Sequence, residues 1–176
     1  MAYDLLCLWC NAKQTTMETN TKITDINHLN HEDLVDLFST ALYDSLNFTA
    51  TYADSARNNI KVEENDCFED VLAKIAMNAK VDKDKVMIYD ENAEDGEVYG
   101  NCACGTAQID DEIITTYYYI GIKEIIKGLE AAANSSEDYI RKAFNAFVNR
   151  EEDCEWDAET ADILMQMIVF GEVIYG

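Results

Sequence analysis

The sequence predicts a helix-dominated α+β fold: about five helices with a small antiparallel sheet or hairpin in the first half. Three observations carry this expectation. Amphipathic stretches of helical period recur from residue 31 to residue 170. Short runs of β-branched and aromatic residues stand at Phe48–Tyr52 (FTATY) and Lys85–Tyr89 (KVMIY). Hydrophobic residues make up 48% of the 176, with 10 Tyr, 6 Phe and 2 Trp, which is enough for a core and unlike an acidic disordered tail. No internal repeat or low-complexity linker interrupts the chain, so 1–176 reads as a single compact domain. A subdivision, if present, falls between an α+β part, 1–108, and a helical part, 109–176.

Residues 2–10 (AYDLLCLWC) are apolar and bulky and fit either a buried strand or the start of a helix. Residues 11–31 are polar and Thr/Asn-rich, which predicts a loop with a short strand near Thr21–Ile26. A helix follows. Asn30 or His31 caps it, Glu32 and Asp33 suit the positive end of its dipole, and Leu34, Leu37, Phe38, Ala41, Leu42 and Leu46 form its apolar row. After the Phe48–Tyr52 strand, Asn65 or Asp66 caps a second helix whose apolar face is Phe68, Val71, Leu72, Ile75, Ala76 and Ala79. Lys85–Tyr89 is the next strand, with Glu97–Tyr99 as a hairpin partner across an acidic Asp90–Gly96 turn.

Two patterns compete from Ile113 onward. The run Ile113–Ile120 (IITTYYYI) has strong β propensity. Yet Ile113, Tyr117, Ile120 and Glu124, and the row Ile114, Tyr118, Ile122, Ile125 and Leu129, recur at helical spacing. With Asp110, Asp111 and Glu112 as a first turn and Asn134 as a stop, the preferred reading is one long helix to Ala133. Ser135 or Ser136 caps the next, whose buried row is Tyr139, Ile140, Ala143, Phe144, Phe147 and Val148. Asp157 caps the last, which carries Ala161, Ile163, Leu164, Met167 and Ile168 and stops at Gly171. Glu172–Tyr175 either frays or pairs as an edge strand.

Charge is the most unusual property of the chain. Its 35 acidic and 13 basic side chains give a formal net charge of −22, against a magnitude of about 2 to 8 for an ordinary small domain. Such a field repels nucleic acid and anionic membrane, and points to a basic partner. Residues 89–176 hold 20 acids against 5 bases, and residues 1–88 hold 15 against 8. The stretch Asp90–Glu112 alone packs eight carboxylates and no Lys or Arg into 23 residues.

The candidate chemical motifs fall short of their requirements. Cys7-x-x-Cys10 with His28-x-x-His31 offers two pairs of zinc ligands. However, the turn between the thiols is the apolar Leu8-Trp9, and the histidines are one residue closer than usual. Cys102 and Cys104 form a looser pair that would complete an all-cysteine site with Cys7 and Cys10. As a calcium loop, a start at Glu91 puts Gly96 at position 6 but leaves Ala93 and Cys102 where acids belong. Gly100 and Gly105 have a phosphate-loop spacing without the lysine that must follow. No Ser or Cys nucleophile motif accompanies either histidine. The expectation is a non-enzymatic protein without metal or cofactor. The N-terminus lacks a basic signal-peptide start and no stretch is apolar enough to cross a membrane, so a cytoplasmic protein with reduced thiols is expected.

Duplex DNA carries one negative charge per roughly 1.7 Å of axis. At that density the −22 charge of this chain equals about eleven base pairs of phosphate. In size, acidity and lack of enzyme motifs the chain resembles the small phage-encoded DNA mimics, the anti-restriction and anti-CRISPR inhibitors. That resemblance is one of composition. It implies binding to a host defence nuclease, in an infected bacterial cytoplasm, and blockage of its DNA or guide-RNA site. The expected partner-facing residues are Asp90, Glu91, Glu94, Asp95, Glu97, Tyr99, Asp110, Asp111, Glu112, Glu151, Glu152, Asp153, Glu155 and Trp156, acids interleaved with aromatic anchors. Two alternatives remain: an acidic adaptor or subunit of a protein complex, and a small zinc-binding domain using Cys7, Cys10, His28 and His31.

Overall fold

Polar residues that precede each apolar run start the helices by satisfying their first backbone amides. At the start of α1 (His31–Leu42) the Asn30 side chain accepts from the Asp33 amide at 3.1 Å, and the Asp33 carboxylate accepts from the Asn30 amide at 2.8 Å. At α6 (Ala158–Val169) the Asp157 carboxylate accepts from the Thr160 amide, and the Asp157 amide donates to the Thr160 hydroxyl, both at 2.9 Å. The computed structural model describes residues 25–43, 45, 47–93, 104–109, 113–149 and 156–176. Between α1 and α6 lie β1 (Phe48–Tyr52), α2 (Asp54–Asn58), α3 (Phe68–Asn78), β2 (Val86–Asp90), β3 (Cys104–Ile109), β4 (Ile113–Ile120), α4 (Ile122–Ala133) and α5 (Asp138–Asn149). Single 3₁₀ turns occupy Ile26–His28 and Asp82–Asp84.

The fold is α+β and helix-dominated, as the periodicity predicts, with one small antiparallel sheet of strand order β1-β2-β4-β3. Asn134 ends α4 and Gly171, at φ 81°, follows α6, both as expected. The expected strand near Thr21 and the Glu97–Tyr99 hairpin partner fall outside the described residues; Ile26 itself begins a 3₁₀ turn.

The long helix expected over 113–133 is corrected. Ile113–Ile120 is a strand, the helix begins only at Ile122, and Gly121 separates them. The physical reason is that bulky β-branched or aromatic side chains fill every position of the run, so a helical row could be traced through it by coincidence. The strand is interior to the sheet, pairing Val86↔Ile120 and Ile88↔Tyr118 on one side and Thr106↔Thr116 on the other. Pairing on both edges lets the β-branched and aromatic preference win. α3 begins after Cys67 instead of Asn65 or Asp66: the Asp70 carboxylate takes the Cys67 amide at 2.9 Å, while Asp66 turns to the Lys74 ammonium. Residues 172–176 form no strand.

All six helices and the inner face of the sheet share one hydrophobic core. Phe48, Val86, Ile88, Tyr118 and Ile120 point into it from the sheet, fully buried. The apolar helix α6 runs through its middle, touching α1, α4 and α5 on the helical side and β4 on the other. At its end Phe170 meets the rings of Phe48 at 5.7 Å, Tyr118 at 5.4 Å and Tyr175 at 6.0 Å. Gln166, fully buried on this helix, holds residues 172–176: its carbonyl accepts from the amides of Ile174 and Tyr175 at 2.7 Å, and its amide donates to the Tyr175 carbonyl at 2.9 Å.

Gly128 lets α4 lie directly against α6, since a Cβ there would stand 2.4 Å from the Ile168 Cα. Gly128→Ala therefore forces the helices apart, and we expect a loss of about 2–3 kcal/mol, read as a drop of several degrees in Tm by circular dichroism. Asp66 supplies a pH test. The hydrogen bond from Lys74 and a second from the Glu63 amide hold its carboxyl below the ordinary range. Its stabilisation is thus present above the ordinary carboxylate pKa and fades as pH falls through the depressed value. Asp66→Asn is expected to cost about 1 kcal/mol at neutral pH. The gap between the two melting curves should close as the titration moves below the ordinary carboxylate range and through the depressed value.

Candidate protein-docking surface

The expected partner-facing residues divide into those the fold withdraws and those it leaves outward. Asp90 ends β2 with its side chain inward, 3% exposed. Its two carboxylate oxygens accept from the Tyr175 hydroxyl at 3.0 and 2.9 Å, and one also accepts from the amides of Asn92 at 3.0 Å and Ala93 at 3.1 Å. This corrects its expected role: Asp90 is a structural clamp between the strand end and residues 172–176, and it offers no charge to a partner. Trp156 is half-buried and packs against the core, its ring 5.1 Å from Phe147, with its indole N–H buried and without a partner among the described residues. Glu91 is exposed and accepts from the Thr49 hydroxyl at 2.6 Å. Glu94, Asp95, Glu97, Tyr99, Asp110, Asp111, Glu112, Glu151, Glu152, Asp153 and Glu155 lie outside the described residues, as do Cys7, Cys10 and Cys102.

A side-chain network fastens the Asp90 corner. The Asp162 carboxylate accepts from the Asn47 amide group at 2.9 Å and from Gln166 at 2.8 Å, and Asn92 donates to the Asn47 carbonyl at 2.6 Å. Three elements, the β1 entrance, the turn after β2 and α6, thus converge on polar groups that satisfy one another.

His28 and His31 face different carboxylates. His28 Nδ1 lies 2.7 Å from Asp25, and His31 Nε2 lies 3.7 Å from Asp70. Among the described residues no three His, Cys, Asp or Glu side chains cluster as metal ligands. Burial, with the Asp70 carboxylate beside it, pushes the Cys67 thiol up to about 12, which removes it as a nucleophile at neutral pH. Among the described cavities, one of about 290 Å³ lies between α2 and α3, lined by Ala56, Asn59, Ile60, Ile75, Asn78 and Asp84 among others, and holds no nucleophile–base pair.

The feature that sequence reading missed is the outer face of the sheet. In cross-strand register Thr49, Tyr89 and Tyr117 form one row, and Thr51, Met87 and Tyr119 the next. Thr49 is exposed and the other five are half-buried, whereas their inward neighbours Phe48, Val86, Ile88, Tyr118 and Ile120 are fully buried. The Tyr89 and Tyr117 rings lie 5.7 Å apart, Tyr117 and Tyr119 meet edge-on at 5.3 Å, and the Tyr119 hydroxyl donates to that of Tyr117 at 3.4 Å. That hydrogen bond, then burial, then nearby negative charge including Asp82, push the Tyr119 phenol up to about 12. Burial, then Tyr117, raises that of Tyr89. Both therefore stay neutral at physiological pH. Lys85, at the entrance to β2, is occupied by Asp82 at 2.8 Å and Glu124 at 3.0 Å. The β-branched and aromatic composition of Ile113–Ile120 was the available signal for a strand and hence for this face; the helical reading of the same run obscured it.

The two acids at the β2 exit separate by substitution. Asp90→Ala leaves the Tyr175 hydroxyl and two amides without their acceptor and is expected to cost about 2–3 kcal/mol in urea unfolding. Glu91→Lys should leave the unfolding midpoint close to that of the parent; equal losses in both variants contradict the inward placement of Asp90. No protein-family model, curated protein or solved structure matches the chain, so its function is argued from its own residues.

Proposed function

We propose that this protein is a non-enzymatic acidic inhibitor that binds a basic nucleic-acid-binding protein and blocks its DNA or RNA site by charge mimicry. A bacterial defence nuclease such as a CRISPR effector is the first candidate target. The observation that carries the reading is a net charge of −22 on a chain that nevertheless builds an ordered core. Surface carboxylates on a folded scaffold keep their spacing, so their field can match a groove lined by Lys and Arg, and complementary fields speed encounter. Exposed acids distributed over the fold, among them Glu32, Asp54, Glu64, Glu130 and Glu159, support a field spread over several sides. An acidic adaptor for a basic protein shares the charge argument and differs in one respect: it has no reason to exclude nucleic acid.

The test is competition. The immobilised protein is exposed to bacterial lysate, and a captured nuclease is then titrated with duplex DNA and with guide RNA at several salt concentrations. We expect the affinity to fall by an order of magnitude or more from low to high salt, and nucleic acid to displace the inhibitor. A tight complex that ignores salt sinks the mimicry reading. One that coexists with bound nucleic acid assigns the chain to the adaptor class.

A further inference from the structure

At its described outward positions the sheet carries no charged side chain, on a chain in which 27% of residues are charged. An antiparallel sheet with one solvated face ordinarily alternates apolar inward and polar outward. Here the described outward positions are Thr49, Thr51, Met87, Tyr89, Tyr117 and Tyr119, with no Asp, Glu, Lys or Arg among them. Met87 and the three tyrosines are not among the residues that pack against the hydrophobic core. The inner tyrosine of the same strand, Tyr118, is fully buried, so the contrast is between the two sides of one strand. In register Gly105 of β3 stands beside Tyr117 and brings no side chain over it. Tyrosine, with a large rigid body and a polar tip, is the residue type that interfaces favour.

The charge of the chain decides the occupant. A second copy would bring another −22 against the first, and nucleic acid or an anionic membrane would meet the same repulsion. A basic protein surface is attracted, and its arginines have a specific use for this face. Guanidinium groups stack on tyrosine rings more readily than ammonium groups do, and they keep some hydrogen-bonding edges free for carboxylates at the rim. Glu91 stands at one such rim, tied to Thr49 at the end of the first row. Lys85, already held between Asp82 and Glu124, does not compete for the rings.

We propose that the Tyr89–Tyr117–Tyr119 face is the docking surface for the arginine-bearing side of a basic protein partner, with the acidic field steering the approach and the tyrosine rows making the anchoring contact. The proposal rests on the acidic-inhibitor reading for the class of partner and adds where, and by which side chains, that partner is held.

Deca-arginine and deca-lysine, equal in length and charge, are the probes. Binding is followed at low salt by tyrosine ring signals in carbon–proton NMR of the full chain. Tyr89→Thr, Tyr117→Thr and Tyr119→Thr are made singly and together, threonine being chosen to keep β propensity. We expect deca-arginine to shift the ring signals of these three tyrosines and to bind about tenfold more tightly than deca-lysine. The triple variant should lose that preference and keep its deca-lysine affinity; if it does not fold, Tyr117→Thr alone should lose a measurable part of it. Equal affinities for the two peptides, or arginine binding that leaves the three rings unmoved, overturns the docking face while leaving the acidic reading intact. Failure of either peptide to bind at low salt removes the acidic reading, and the docking face with it. A dimer at high salt that the triple variant dissolves overturns the choice of occupant in favour of a second copy.

Discussion

The junction between α6 and the sheet is the constraint from which the rest of the structure follows. Phe170 sits where the helix ends, and its ring contacts one ring from β1, one from β4 and one from the segment after the helix. Gly171 then takes a positive φ, which an L side chain adopts poorly, and turns the chain back along its own helix. Gln166 holds that returning segment by its backbone, and the segment brings the Tyr175 hydroxyl to Asp90. One helix terminus thereby sets the inner face of the sheet, the end of β2 and the course of the last residues. Loosening any of these contacts exposes polar groups whose partners come from the others.

This arrangement bears on how the fold tolerates so much negative charge. Several described carboxylates that turn inward are matched by donors: Asp90 by a phenol and two amides, Asp162 by Asn47 and Gln166, Asp33 by the amide of Asn30. Lys74 and Lys85 are both partly withdrawn from solvent and placed against acids between elements. Lys85 in particular ties the start of β2 to Glu124, which also accepts from the Gly121 amide where β4 hands over to α4. Surface ion pairs contribute little individually, so the value of these lysines lies in where they join elements. Other described acids, among them Glu32, Asp54, Glu64, Glu130 and Glu159, stay in water, where their mutual repulsion is screened by salt.

In the binding mode we propose, the uncharged tyrosine positions and the acidic surface would divide the work. Long-range attraction comes from net charge, is not directional and weakens with salt. Anchoring needs desolvated contact with defined geometry, which carboxylates supply poorly because removing them from water is costly. The tyrosines, threonines and Met87 of the outer sheet face are suited to that need, and the surroundings of Tyr89 and Tyr119 raise their phenol pKa values.

The sequence by itself determined what depends on neighbours along the chain. The caps at Asn30 and Asp157, the apolar rows of α1, α5 and α6 (save Tyr139, which is exposed, and Leu46, which lies outside the described residues), the strand at Phe48–Tyr52, the stop at Gly171 and the net charge were readable, because each is a local or additive property. Tertiary structure decided what depends on distant partners. Ile113–Ile120 suits both periods when read alone, and only pairing with β2 and β3 makes it a strand. That one choice turns Tyr117 and Tyr119 outward and Tyr118 inward, and so creates the proposed docking face. Asp90 reads as one acid among many until Tyr175, distant in sequence, arrives at its carboxylate. Gly128 is unremarkable in sequence and becomes necessary because Ile168 packs on it. Burial and pairing of this kind are non-local, and no window of residues contains both partners.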